Sequence, residues 1–98
     1  MAEDRVACRT PAEGREGVTS IPTWKFDLLR AAILDALSGG PMKNADLKDA
    51  VGSRLSPDDL SRLGKLGWHV ITVKLELEVR GEIERIPGQK PLTIRLAQ

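Results

Sequence analysis

Very few residues in this chain combine the types and the spacing that catalysis requires. The sequence has one histidine, His69, and one cysteine, Cys8, and no Cys/His cluster has the spacing of metal ligands. No serine or cysteine stands in a recognisable nucleophile motif. Glu76 and Glu78 are two residues apart, so on a helix they point to different faces and cannot act as a catalytic pair. We therefore expect no enzyme, no cofactor, no metal ion and no evident small-molecule ligand.

The side chains that could recognise a partner chemically are the cations. Lysines and arginines would contact DNA phosphates, and small polar side chains on a DNA-facing helix would lie nearest the groove. The phosphate candidates are Lys43, Lys74, Arg85 and Lys90, and the groove candidates are His69, Thr72 and Lys74. The alternative is an ordinary solvated surface, because the net charge is only +1 and several glutamates lie near these cations in sequence. Any double-stranded DNA is expected to bind with modest affinity and a shallow salt dependence.

Length and composition restrict the class of protein. A chain of 98 residues is long enough for one small domain. Two tryptophans, one phenylalanine and no tyrosine supply few stacking surfaces for single-stranded nucleic acid. No segment resembles a signal peptide or a membrane span, and a single cysteine cannot form an internal disulfide. These features predict a cytoplasmic protein that does not insert into membranes.

The first 20 residues mix charged residues with glycine and proline and show no apolar periodicity. Such a segment buries too little apolar surface to offset the entropy of ordering it. We expect a flexible tail over residues 1–20 and one domain over residues 21–98. A basic arm in the DNA minor groove is the alternative, but three arginines and four acidic residues give the tail a negative net charge.

Three helix-start signals follow the tail. Thr23, Asn44 and Ser56 each precede a helical pattern and are the expected N-caps. Ser56 gives the strongest signal, because Pro57 and two aspartates come directly after it. The first helix is expected to bury a face made of Phe26, Leu29, Ile33 and Leu37.

The segment at residues 68–80 fits two structures. Its apolar residues alternate with polar ones as in a strand, but they also form two faces of a helix. We favour the helix, because Gly81 is a suitable helix stop and the segment is long for a strand of so small a domain. After it, the alternation of Leu92, Ile94 and Leu96 and a Pro-Gly turn at residues 87–90 predict a β-hairpin.

Three stretches of sequence are similar to known proteins. The run LELEVRGEIERIPG resembles the end of the recognition helix in many winged helix-turn-helix regulators, and GGPMKNADLKDAVG resembles the first strand and second helix of that superfamily. GW followed by TVKLELE resembles a family of small uncharacterised bacterial winged-helix-like proteins. The resemblance covers residues 21–98. It implies an α+β winged-helix fold with three to four helices and a C-terminal β-hairpin wing, and the function of a DNA-binding transcription regulator.

The sequence departs from that pattern in two places. The stretch at residues 52–66 is longer than the usual turn between the two helices and is expected to hold a helical turn of its own. The outer face of the helix at the recognition position is apolar, whereas DNA-reading helices offer polar side chains to base edges. This face carries Trp68, Ile71, Leu75 and Val79.

A helix that is apolar on two sides must bury both of them. One possibility is that the segment around Leu60 and Leu63 folds over the second face of the helix. The other is that the face is an interface for a homodimer or another protein. The alternative function is therefore a winged-helix interaction module that does not bind DNA.

Overall fold

The structure, a computed structural model, describes residues 4–9, 19–88 and 90–97. The elements in chain order are β1 (Arg5–Cys8), β2 (Thr19–Pro22), α1 (Thr23–Leu37), β3 (Met42–Lys43), α2 (Leu47–Gly52), α3 (Pro57–Leu63), α4 (Leu66–Arg80), β4 (Ile83–Arg85) and β5 (Thr93–Leu96). Within the described residues, four α-helices accompany one two-stranded and one three-stranded antiparallel sheet. The fold is therefore α+β, as predicted.

The N-terminal residues form a hairpin against the helices. β1 and β2 pair antiparallel, with Val6 opposite Ile21. Cys8 and Ile21 are buried in the same core as α1. The prediction of a flexible tail is wrong for residues 4–9 and 19–20, because these buried side chains offset the entropy of ordering the segment. Residues 1–3 and 10–18 of the predicted tail lie outside the described residues.

The helix starts were predicted correctly in one case of three. The Ser56 hydroxyl accepts a hydrogen bond from the Asp59 amide at 3.0 Å, and α3 begins at the next residue. Thr23 is instead the first residue of α1, and Asn44 begins a 3-10 turn that leads into α2. Neither residue is an N-cap. The amides of Thr23 and Asn44 instead bond carbonyl oxygens of other segments, so each helix starts directly from strand pairing.

The ambiguous segment is a helix, α4, and it ends where the sequence predicted. Gly81 has a φ of 77°, and its amide donates to the carbonyl oxygens of Leu77 and Glu78. Only glycine adopts this left-handed geometry without strain, so Gly81 closes the helix and turns the chain into β4.

The C-terminal strands are present as an antiparallel sheet, but they do not form exactly the predicted hairpin, because a third strand joins them. β4 and β5 pair antiparallel, and β3 joins the other side of β5, which gives the order β3-β5-β4. Within the predicted turn, Gln89 lies outside the described residues. The sheet covers one end of α4, and its buried residues Ile83 and Ile94 complete the core.

One core joins the helices and both sheets. The predicted face of α1 is buried in it, together with Val70, Val73 and Leu77 of α4. The helix predicted within residues 52–66 is α3, and it contributes Leu63 to the same core. The second apolar face of α4 points away from this core.

Candidate protein-interaction surface on α4

The outward face of α4 carries apolar side chains at helical spacing. Trp68, Ile71, Leu75 and Val79 lie three or four residues apart, so they form one line along the helix, here called the α4 stripe. Trp68 is 47% exposed and Ile71 is 57% exposed, while Leu75 and Val79 are half-buried. Trp68 meets the ring of His69 edge to face, with ring centroids 4.8 Å apart. Exposed apolar side chains in one line are typical of surfaces that bind partners.

The segment that precedes α4 does not cover the stripe. α3 buries Leu63 in the core and leaves Leu60 half-buried, while Trp68 and Ile71 stay exposed. The possibility that this segment folds over the second apolar face is therefore wrong for the N-terminal half of the stripe. Its one buried leucine packs in the core of the domain.

One flank of the stripe is built around a buried carboxylate, Glu76. This side chain is fully buried and accepts hydrogen bonds from the Arg9 backbone amide at 2.8 Å, from Arg9 Nε at 3.0 Å and from Arg9 Nη2 at 2.8 Å. Arg80 Nε donates a further hydrogen bond at 2.7 Å. These contacts attach the end of β1 to α4. We call this group the Glu76 flank.

The charges at this flank shift the pKa values of two groups. Burial alone would raise the pKa of Glu76, but the hydrogen bonds from Arg9 and Arg80 outweigh it and lower the pKa to about 2. Burial raises the pKa of the Cys8 thiol to about 11, and the negative charge of Glu76 adds to that rise. The thiol is therefore protonated and unreactive while the hairpin is docked.

The other flank is built around Glu78, and it attaches the C-terminal hairpin. The side chains of Lys74 and Glu78 are 4% and 7% exposed and form an ion pair at 2.6 Å. Arg85 Nε, in β4, donates to Glu78 Oε1 at 2.5 Å. We call this group the Glu78 flank. Its two cations hold one carboxylate, as at the Glu76 flank.

Of the three side chains expected nearest a DNA groove, His69 and Lys74 are buried and Thr72 is half-buried. His69 is 9% exposed and its Nδ1 lies 2.7 Å from the Lys65 carbonyl oxygen. The Thr72 hydroxyl donates to the Trp68 carbonyl oxygen at 2.8 Å. Lys74 is 3% exposed. The prediction that Lys74 contacts phosphate is also wrong, because its ammonium group is buried in an ion pair with Glu78, four positions further along α4.

The remaining phosphate candidates lie in or beside the three-stranded sheet. Lys43 pairs in register with Thr93, and Arg85 pairs with the next residue, Ile94, from the opposite side of β5. Lys90 lies in the turn that precedes β5. Lys43 and Lys90 are exposed, while Arg85 is bonded to Glu78. Because Thr93 and Ile94 are consecutive in β5, Lys43 and Arg85 lie on opposite faces of the sheet. Arg85 belongs to the Glu78 flank beside the α4 stripe, so the structure does not bring these cations together as one patch.

Sequence reasoning missed Arg9, Cys8 and Glu76 as parts of one structure. Arg9 and Glu76 are 67 positions apart, so no local pattern links them. One signal was present, because Val6, Ala7 and Cys8 form a short apolar run between two arginines.

These elements define a small α+β domain with a half-exposed apolar helix face between two charged flanks. The chain belongs to a family of unknown function, DUF6958, which matches residues 5–94. The match therefore begins in β1 and ends within β5, so it includes the first hairpin and part of the larger sheet. The chain matched neither a curated protein nor a solved structure. Across the described ranges, no helix has the length and apolarity needed to cross a membrane.

Proposed function

We propose that this protein is a winged-helix protein–protein interaction module whose binding surface is the α4 stripe. The order of α1, β3, α2, α4 and the two wing strands supports the winged-helix assignment, since it is the order that the sequence resemblance implies. α3 is an addition to that pattern. The observation that carries the function is the exposure of Trp68 and Ile71 on the helix that would otherwise read DNA.

The chemistry of this face favours protein over base pairs. Base edges are read by hydrogen-bonding side chains such as Arg, Asn and Gln. The α4 stripe offers none of these, and its neighbours Thr72 and Lys74 are engaged within the chain. Aromatic and aliphatic side chains in a line are instead the anchors of helix-in-groove recognition and of protein interfaces.

The proposal is tested by titrating the labelled protein, followed by nuclear magnetic resonance, with two ligands in parallel. The first is an amphipathic helical peptide of about 18 residues with leucines at i, i+3, i+4 and i+7 and an uncharged polar face. The second is a random DNA duplex. We expect the peptide, and not the duplex, to shift the amide signals of Trp68 and Ile71. A duplex that shifts these signals, or a peptide that leaves them unmoved, would contradict the proposal.

Ile71→Ser provides the matched control. Ile71 is 57% exposed, so the substitution is expected to change the free energy of unfolding by less than about 0.5 kcal/mol. It should nevertheless weaken peptide binding by about tenfold. Leu29→Ser, at a fully buried position, would instead unfold the protein and shows what a structural effect looks like.

A second candidate function is contact with DNA backbones through the wing end of the sheet. It rests on the exposure of Lys43, in β3, and of Lys90, in the turn that precedes β5. Such contacts give affinity without base selectivity. In the same titration, duplex DNA would shift the signals of Lys43 and Lys90, and Lys43→Ala with Lys90→Ala would reduce the salt dependence by about two released ions.

A further inference from the structure

The two flanks of the α4 stripe share an unusual charge arrangement. Glu76 holds two cations, Arg9 and Arg80, and Glu78 holds two more, Lys74 and Arg85. Four cations against two carboxylates leave one surplus positive charge on each flank. Lys65, which precedes α4, is a further exposed cation near Trp68. The stripe therefore has an apolar centre and positive borders.

The positive charge on the flanks is partly accessible to a partner. The side chains of Arg9, Arg80 and Arg85 are 45%, 38% and 49% exposed, although each donates to a carboxylate. A guanidinium has five N–H donors in a fixed fork, so an arginine that already donates to one carboxylate keeps others for a second. Carboxylates placed beside the stripe could thus bind both borders at once.

The buried carboxylates also fix the shape of the surface. Glu76 and Lys74 lie on opposite sides of α4 and are both buried, so neighbouring elements cover both sides of the helix. The end of β1 covers the Glu76 flank and β4 adjoins the Glu78 flank. The stripe is a narrow band between two covered sides, which suits a single helix laid along it.

We propose that the α4 stripe binds an amphipathic helix of a partner protein that carries acidic residues on both sides of its apolar face. This inference rests on the proposed function and adds the charge of the partner. Apolar anchors would pack on Trp68 and Ile71, and carboxylates would bind the arginines of the two flanks. A second copy of this chain is disfavoured, because it would bring the same surplus of positive charge to its own stripe.

The test uses three peptides with the same leucine face. One carries glutamates on both sides of that face, one carries lysines, and one carries glutamines. Binding is measured by nuclear magnetic resonance titration and by calorimetry at low and high salt. We expect the acidic peptide to bind about tenfold tighter than the neutral one and the basic peptide to bind more weakly still. The advantage of the acidic peptide should fall several-fold between about 0.05 and 0.5 M salt.

Two arginine variants connect the effect to the flanks. Arg85→Gln removes a cation of the Glu78 flank and is expected to reduce the preference for the acidic peptide over the neutral one about threefold. Arg95→Gln is the matched control, because Arg95 pairs with Glu84 on the other face of the wing. Equal effects of the two variants would overturn the inference.

The remaining outcomes separate this inference from the proposed function. If all three peptides bind the stripe equally well, the proposal of an acidic partner is wrong, but the proposed interaction function is not contradicted. If light scattering shows a dimer that Ile71→Ser dissociates, the occupant is a second copy and the acidic partner is again wrong. If anionic phospholipid vesicles shift the stripe signals and no peptide does, both proposals are wrong.

Discussion

Both hairpins of this protein are attached to α4 by an arginine, but the two attachments bury different charges. At the Glu76 flank the carboxylate is buried, while its two arginines are 45% and 38% exposed. At the Glu78 flank the carboxylate and one of its cations, Lys74, are both buried. If Glu76 is removed, Arg9 and Arg80 can contact water instead. If Glu78 is removed, the ammonium group of Lys74 stays buried without a partner. We therefore expect the loss of Glu78 to destabilise the fold more than the loss of Glu76.

The largest expected effect is that of Glu78→Ala. It removes the partner of a buried lysine, and we expect it to lower the free energy of unfolding by about 3–5 kcal/mol in urea denaturation. The double variant Lys74→Met with Glu78→Leu should restore stability to within about 1 kcal/mol of the wild type, since it replaces the pair with apolar side chains. A smaller loss for Glu78→Ala than for Glu76→Ala would reverse the comparison.

The Glu76 flank should respond to acid. Because its pKa falls from 4.5 in the unfolded chain to about 2 in the folded one, Glu76 stabilises the fold above about pH 5, by roughly 3 kcal/mol. That contribution is lost as the pH falls from 4.5 towards 2. In Glu76→Gln it is absent at every pH. Urea denaturation of both proteins between pH 7 and pH 2.5 should therefore show curves that converge in acid, and curves that stay parallel would contradict the assignment.

Cys8 reports on the docking of the N-terminal hairpin. Its thiol is buried and its pKa is raised to about 11, so labelling by iodoacetamide requires the hairpin to open. Arg9→Ala is expected to increase the labelling rate about fivefold to tenfold at pH 8, by weakening the bonds to Glu76. The control is Arg54→Ala, which removes a surface ion pair with Asp35 and should leave the rate unchanged.

The smallest effect is expected for Arg85→Gln. The side chain is 49% exposed, and Glu78 keeps its bond to Lys74 when Arg85 is removed. We expect a loss of about 0.5–1 kcal/mol in urea denaturation, reduced further in high salt. A loss as large as that of Glu78→Ala would mean that Arg85, and not Lys74, is the main partner of Glu78.

The difference between the two hairpins also explains which parts of the fold could be predicted from the sequence. The C-terminal hairpin has a Pro-Gly turn, alternating leucine and isoleucine, and a short loop, all of which are local signals. The N-terminal hairpin joins two four-residue strands through a long connection, and its attachment depends on a residue 67 positions away. Only the folded chain brings Arg9 and Glu76 together, so the sequence of residues 1–20 resembles an unstructured tail.

The candidate site was predictable in position but not in environment. Helical spacing placed Trp68, Ile71, Leu75 and Val79 on one face, and the structure agrees. Spacing could not decide whether α3 covers that face, because this depends on the direction of a seven-residue helix. Lys74 was misassigned for a related reason: a lysine and a glutamate four positions apart usually form a solvated pair, whereas here the neighbouring elements bury both.

The order of strands in the larger sheet affects how the chain folds during translation. β5 lies between β3 and β4 but is synthesised after both. About 50 further residues are synthesised between Lys43 and its partner Thr93. At ordinary elongation rates their synthesis takes roughly 3–10 s. During that interval β3 has no strand partner, and β4, which is made shortly before β5, also lacks one until β5 emerges.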